Sequence, residues 1–332
     1  MKIIIPMAGM GTRMRPHTLT VPKPLIPVAG KPIVQRLVED ITRVCNEKVD
    51  EIAFIVHPAF GKAIEDMLVA MAEKLGSKGT IYYQETALGT AHAVLCAKES
   101  LQGNVIVAFA DTLFIADFKL NTKQDAIIWV QKVEDPSAFG VVKLNESGII
   151  TDFVEKPKEY VSDLAIIGIY YFKDGENLKA ELQYLIDNNI HVKGEYQLTT
   201  ALENMKNKNI TFYPGQVDEW LDCGNKDATV ITNRRVLANY GSVISKNITV
   251  VNSTIIEPCV ILDGAVITNS VVGPYVSVGS DTKIEKSIIE NAIIQNNTLI
   301  ECKIIANSMI GSNCKVEGCM ADLSIGDYIN MA

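Results

Sequence analysis

The chain has 332 residues, 21% of them charged and 48% hydrophobic, and a formal net charge of −8. That balance is the one of a soluble globular protein long enough for two domains, and it excludes a disordered chain. No apolar run approaches the roughly 18 residues of a membrane-spanning helix, the N-terminus lacks a secretory pattern, and the seven cysteines include no C-x-x-C pair. A cytoplasmic protein with reduced, packed thiols and no zinc site is expected.

In chain order, Ile3-Ile4-Ile5 reads as a buried strand bounded by Pro6. The turn Met7-Ala8-Gly9-Met10-Gly11-Thr12-Arg13-Met14-Arg15-Pro16 follows, continued by Pro22-Lys23-Pro24-Leu25. Gly9 and Gly11 allow a tight turn whose N–H groups approach a bound anion, where a Cβ would hinder. From Met1 to Val38 there are six basic residues (Lys2, Arg13, Arg15, Lys23, Lys31, Arg36) and no acidic one, a local positive field in an acidic molecule. Phosphate is the ligand this combination suggests. A dinucleotide fingerprint is a poor fit because Met14 stands where its last glycine belongs, and no P-loop pattern is present. An ordinary strand-to-helix turn accounts for the glycines but not for the basic run.

Gly9-Met10-Gly11-Thr12-Arg13 followed by Pro22-Lys23-Pro24-Leu25-Ile26-Pro27-Val28-Ala29-Gly30-Lys31-Pro32 resembles the signature of the sugar-1-phosphate nucleotidyltransferases. The resemblance covers roughly residues 1 to 240. It implies that Ala8, Gly9, Gly11, Thr12 and Arg13 hold a nucleoside triphosphate and that Lys23 meets phosphate. The family usually has small residues at the positions of Met7 and Ala8, so this departure bears on nucleotide choice.

Beyond the turn, Ile33, Val34, Leu37, Val38, Ile41 and Val44 recur with helical period, Glu51 to Val56 reads as a strand, Ala59 to Leu75 as a helix ended by Gly76, and Thr80 to Tyr83 as a strand. The alternation predicts a parallel sheet covered on both faces, with ligands beyond the carboxyl ends of its strands. Gln84 leaves that last strand, and Gly89-Thr90 opens a helix reaching about Ser100. A strand-end Gln is often a turn residue, yet its amide can also read a pyrimidine edge. The spacing Gln84 to Gly89 resembles the base-reading segment of uridylyl- and thymidylyltransferases, which implies nucleotide contacts at Gln84, Gly89 and Thr90. His92 is expected to be a packed or surface residue.

The apolar run Val105 to Ala110 predicts a strand buried on both faces that delivers Asp111 to the ligand crevice. Mg²⁺ is usually held by one or two carboxylates plus substrate phosphates, and Asp222 in Trp220-Leu221-Asp222-Cys223-Gly224 is the second candidate. Its alternative is a helix N-cap. The resemblance implies metal-binding acids at both positions, with Ala110 in place of the usual glycine. Strands are expected at Ala126 to Val133, Val141 to Leu144 and Ile149 to Val154, with helices at Asn177 to Asn188 and Leu198 to Lys206. Glu155-Lys156-Pro157 alone reads as a solvated turn. In the family this segment binds sugar phosphate, which implies roles for Gly140, Glu155, Lys156, Gly168 and Glu195, while Thr200 replaces a common Asp.

From about Ser242 aliphatic pairs recur among Asn, Ser and Gly. Ile255, Val272 and Ile289 are seventeen apart, as are Ile261 and Val278, and Ile267 and Ile284. Such a period predicts a left-handed parallel β-helix of about four or five coils, with Cys259, Cys302 and Cys314 bordering its aliphatic column. Acyltransferases use this architecture with a His base, but His17, His57, His92 and His191 all precede it. A structural and oligomerising role is expected for the tail.

The expected fold is therefore α/β: a Rossmann-like, mostly parallel nucleotidyltransferase domain over residues 1–240 and a left-handed β-helix over 241–332. The expected reaction is Mg²⁺-dependent transfer from dTTP or UTP to a sugar 1-phosphate, glucose 1-phosphate being the family-based choice, with Arg13, Lys23 and Lys156 catalytic. The alternatives are a GDP-mannose-type pyrophosphorylase and a non-catalytic nucleotide-sugar-binding scaffold. A homo-oligomer is expected, with neither nucleic acid nor membrane as partner.

Overall fold

The computed structural model describes residues 1–45 and 47–318; Cys319 and the end of the expected 241–332 domain lie outside them. By compactness the chain forms two units. One consists of Met1–Ile26 and Pro32–Gly224, the other of Pro27–Lys31 with the chain from Asn225 onward.

The first unit opens with β1 (Lys2–Pro6), α1 (Ile33–Val44), β2 (Glu51–Val56), α2 (Lys62–Lys74), β3 (Lys78–Tyr83), α3 (Thr90–Leu95) and β4 (Val105–Ala108). It continues with β5 (Thr112–Ile115), β6 (Ala126–Lys132), β7 (Gly140–Leu144), β8 (Ile150–Glu155), β9 (Leu164–Phe172), α4 (Gly175–Asp187), α5 (Leu198–Asn207), β10 (Phe212–Gln216) and β11 (Glu219–Asp222). The main sheet runs β8-β7-β9-β4-β1-β2-β3, with β6 pairing β9 and β10. Strands β4, β1, β2 and β3 are mutually parallel, whereas β9 runs antiparallel to β4, β6 and β7. The parallel strands are apolar because both faces are covered: Ile3 to Ile5 and Ile52 to Val56 are completely buried. Helix α1 buries the six aliphatic positions its spacing predicts.

Two helix boundaries differ from expectation. Pro58–Phe60 forms a separate 3₁₀ turn, and Gly61, with φ of +79°, breaks the chain before α2 begins at Lys62. Helix α3 stops at Leu95, after which i→i+3 bonds from Ala97 to Val94, Lys98 to Leu95 and Ser100 to Ala97 carry the chain in turns to Ser100. Strand β4 likewise ends at Ala108, so Asp111 sits on the following turn.

In the second unit, α6 (Lys226–Tyr240) is capped by Asn225, whose side chain accepts from the Ala228 N–H at 3.0 Å. From Val243 to Glu317 the chain forms a parallel β-helix. Thr249–Val251, Val266–Thr268, Lys283–Glu285, Leu299–Glu301 and Lys315–Glu317 form a five-stranded parallel ladder, one strand per coil. Ile255, Val272 and Ile289 share one register column, Ile261 and Val278 another, and Ile267 and Ile284 a third, as the step of seventeen requires. Beyond these the step shortens to sixteen, with Ile289 opposite Ile305, Val278 opposite Ile294 and Ile284 opposite Ile300. The corner containing Gly273-Pro274 has one residue more than the corner at Glu290-Asn291, where Ile288–Ile294 runs through as one strand. Asn252 and Asn269 take left-handed corner conformations, which Asn tolerates through local hydrogen bonding, and bond to each other at 2.8 Å.

Pro27–Lys31 joins this unit through Asn233 on α6. The completely buried Asn233 accepts from the Ala29 N–H at 2.8 Å and the Ser277 hydroxyl at 2.7 Å, and donates to the Tyr275 carbonyl at 3.3 Å. A Cβ on Gly30 would lie 2.8 Å from Val260. No disulfide is present among the described residues, and burial pushes the Cys45 thiol up to about 12 and raises that of Cys259.

Candidate active site

Leaving β1, Met7 still donates to the Ile55 carbonyl at 2.9 Å, and the chain turns at the carboxyl ends of the parallel strands. Gly11 is fixed as glycine twice over: its φ is +58°, and an added Cβ would lie 2.9 Å from Lys23 Cβ. Its carbonyl accepts from the Thr18 hydroxyl at 2.8 Å. Gly9 differs, since a Cβ there meets nothing within 4 Å and its φ is not positive. The expected steric hindrance at Gly9 is therefore not set by the protein's own atoms. Thr12 and Arg13 project outward from a 3₁₀ turn anchored by completely buried Met14. Met7 and Ala110, two departures from the family pattern, are buried.

The turn's neighbour is an ion pair. Lys23, only 9% exposed, places Nζ 2.9 Å from Asp111 Oδ2. Asp222 ends β11, which pairs antiparallel with β5 so that Asp222 lies opposite Thr112, next to Asp111 in sequence. The Cys223 N–H donates to the Asp111 carbonyl at 3.0 Å. Asp222 is thus a strand-end carboxylate, and the N-cap alternative belongs to Asn225 instead. Burial, then the negative charge of Asp111, raises the Asp222 pKa; the Gly224 N–H at 2.8 Å and the charges of Lys23 and Arg13 act in the opposite direction. Asp111, Asp222, Lys23 and Arg13 consequently form one electrostatic neighbourhood.

The pyrimidine-reading candidates follow the strand at the far end of the parallel set, two strands from β1. Gln84, 8% exposed, follows β3 and donates its N–H to the Val56 carbonyl at 2.9 Å. Gly89 has φ of +115°, and a Cβ there would lie 2.5 Å from the Tyr196 carbonyl oxygen, so only glycine permits this crossing. The Thr90 hydroxyl accepts from the Leu198 N–H at 2.9 Å and lies 3.3 Å from Gln197 Oε1. Gln197 in turn donates to Glu195 at 2.9 Å.

Among the candidate sugar-phosphate residues, Glu155 ends β8 with its side chain largely buried, accepts from Thr199 at 3.2 Å and lies 3.7 Å from Lys156 Nζ. Gly140 makes room for that carboxylate, because a Cβ there would lie 3.2 Å from Glu155 Oε2. Gly168, φ +85°, sits where the register of β9 shifts between Ile166 and Tyr170, and its carbonyl accepts from Phe109 at 3.0 Å. Lys156 takes φ of +44°, with its N–H on the Phe139 carbonyl at 3.1 Å.

Three aromatic residues join these parts. The Phe139 ring meets Trp220 edge-on at 5.0 Å, and Trp220 Nε1 donates to Thr112 Oγ1 at 2.7 Å, linking the Lys156 turn to the strand beside Asp111. Buried Tyr170 has its pKa raised by burial and by the charges of both Glu155 and Asp111, so both carboxylates act on one phenol. None of the three was singled out from sequence. The signal for Trp220 was present, since alternate residues of a strand share a face and Asp222 lies two residues on.

Among the described residues no group of three or more His, Cys, Asp or Glu is arranged to hold a metal. Asp111 and Asp222 suit Mg²⁺ in another way: hard oxygen donors, mutually repelling, in the number expected where substrate phosphates complete the shell.

The glycine turn, two lysines, an arginine and a carboxylate pair on the α/β sheet are groups suited to meeting phosphoryl groups. The chain belongs to the nucleotidyl transferase family, whose model matches residues 2–239. It is 29% identical over 319 residues to the glucose-1-phosphate thymidylyltransferase of Streptomyces antibioticus, covering 89% of this chain and 87% of that one. It is 31% identical over 268 residues to the bifunctional protein GlmU of Methanococcus vannielii, covering 77% of this chain and 61% of that protein. A solved UDP-glucose pyrophosphorylase complexed with UDP-glucose shares the fold, with a TM-score of 0.58 at 24% identity over 72% of this chain and 98% of that one. The resemblance drawn from residues 9–32 thus holds. No helix among the described residues is long and apolar enough to cross a membrane.

Proposed function

We propose that the protein transfers a nucleotidyl group from a nucleoside triphosphate, dTTP or UTP, to a sugar 1-phosphate, glucose 1-phosphate foremost, releasing pyrophosphate. The observation that carries this reading is the Lys23–Asp111 pair at 2.9 Å within the neighbourhood of Asp222 and Arg13, beside the glycine turn. The names of the relatives, thymidylyltransferase and UDP-glucose pyrophosphorylase, support the same substrates. Retention of Arg13, Lys23, Asp111, Lys156 and Asp222 together argues against a non-catalytic scaffold.

The attacking group is already a phosphate anion, so no general base is needed. Arg13 and Lys23 bind the triphosphate and oppose the charge that develops on pyrophosphate as it leaves. Lys156 aims the sugar phosphate, while Glu155 and Glu195 bind sugar hydroxyls. Gln84 reads the base. Alignment of two bound reactants lowers such a barrier by up to about 7–11 kcal/mol, and preorganised charge adds to it. Mg²⁺ held by Asp111 and Asp222 would supply further charge neutralisation across the triphosphate.

The test is pyrophosphate release across a grid of nucleoside triphosphates and sugar 1-phosphates (glucose, N-acetylglucosamine, mannose), with Mg²⁺ and with chelator. A magnesium-dependent signal in the dTTP or UTP row with glucose 1-phosphate is expected. Release with GTP and mannose 1-phosphate alone would overturn the substrate assignment, and silence throughout from folded protein would overturn the reaction.

A further inference from the structure

His92 lies on the first turn of α3, half-buried, with Nδ1 3.1 Å from Gln84 Nε2. The same Nε2 lies 3.5 Å from the Gly89 carbonyl oxygen. That oxygen cannot move freely: it accepts the first helical bond of α3, from the Ala93 N–H at 3.0 Å, and Gly89 is pinned against the backbone of Tyr196. A carbonyl oxygen only accepts, so the Gln84 amide atom facing it must be the nitrogen. Once the amide is oriented, the imidazole has no choice either. Nδ1 must be the acceptor and the ring proton must sit on Nε2. Burial lowers the His92 pKa, which favours this neutral ring. Gln84 Oε1, by contrast, has no hydrogen-bond partner among the described residues and remains an acceptor.

We infer that His92 is the specificity-positioning residue of the base site: by accepting from Gln84 Nε2 it holds Oε1 as a fixed acceptor, which selects bases with an N–H at ring position 3 and rejects cytosine. Uracil and thymine present N3–H, whereas cytosine presents a bare N3 of the same ring size, so an acceptor would face an acceptor. This rests on the proposed base-reading role of Gln84. Without His92 one of the two contacts that set the amide's direction is gone, and the flipped amide presents a donor that suits cytosine.

The experiment measures kcat/KM for UTP or dTTP against CTP in wild type, His92→Leu and His92→Asn, with the sugar 1-phosphate fixed. Asn can place Oδ1 near the position of Nδ1 and accept the same bond. His92→Leu should reduce the discrimination ratio at least about tenfold, the scale of one lost hydrogen bond, and His92→Asn should keep it within about threefold. A merely structural role would lower both triphosphates equally and leave the ratio intact; that result in folded His92→Leu overturns the inference while the Gln84 reading stands. A wild type that uses CTP as well as UTP overturns the Gln84 reading itself. Imidazole ¹⁵N shifts of wild type, assigned by loss of the His92 signals in His92→Asn, test the positioning independently of any variant's folding. A proton on Nε2 is expected, and a neutral ring with its proton on Nδ1 overturns the inference.

Discussion

Lys156 holds a backbone conformation that a side chain of its type disfavours, at a cost of order 1–3 kcal/mol, and its surroundings keep it there: the N–H bonds Phe139, and the carbonyl accepts from Lys193 Nζ at 3.0 Å. Such a constraint at the end of the Glu155 strand suits the phosphate-aiming role proposed for Lys156. Lys156→Ala and Asp111→Asn should each lower kcat/KM at least about 100-fold, the scale of one electrostatic catalyst, and near-normal turnover by either folded variant would remove that residue's role. The two glycines of the turn after β1 should separate. Gly11→Ala forces a left-handed conformation and a contact with Lys23, and should lower stability by about 1–2 kcal/mol in denaturant melts. Gly9→Ala should leave the melt unchanged and raise KM for the triphosphate, because nothing in the protein occupies the space its Cβ would enter. Legibility at this scale followed the same division. The charged residues of the candidate site were proposed from motifs, but whether Asp222 capped a helix depended on its pairing with Thr112, far away in sequence. His92 was read as packed or surface because one residue does not disclose that its ring touches Gln84.

Elements with an internal period were legible and their ends were not. The six aliphatic positions of α1 and the columns of the β-helix are repeated signals, and each extra repeat strengthens the inference. The start of α2 hung on Gly61 alone, whose positive φ competes with a helical pattern beginning at Ala59. The shortened coil after Ile289 hung on one missing corner residue. At this scale Asn233 is the informative site, since its side chain satisfies two buried donors, Ala29 N–H and Ser277 O–H. Asn233→Ala should cost about 1–3 kcal/mol for each donor left unsatisfied, seen as a lower thermal midpoint. An unchanged midpoint would show that these bonds add nothing.

For the molecule as a whole, the tail's stability is a sum over coils, each burying the face of its neighbours. Ile284 is 1% exposed between Ile267 and Ile300, so Ile284→Ala should destabilise by about 2–5 kcal/mol in calorimetry. The change of composition near Ser242 marks where the short parallel strands begin, at Val243, whereas the compact units divide at Asn225, so that α6 falls with the tail. Sequence order hid the fact that five residues of the N-terminal signature, Pro27–Lys31, group with the C-terminal unit, because that grouping rests on Asn233 more than 200 positions away. This grouping bears on descent as well as on folding. A recombination event that joined this N-terminal half to a foreign tail at a single crossover would import new neighbours for Ala29 and Gly30 while keeping the old loop. A foreign tail would therefore have to fit a pentapeptide four residues past Lys23 as well as the chain that follows Gly224, so the junction between the two units lies at two separated places in the sequence.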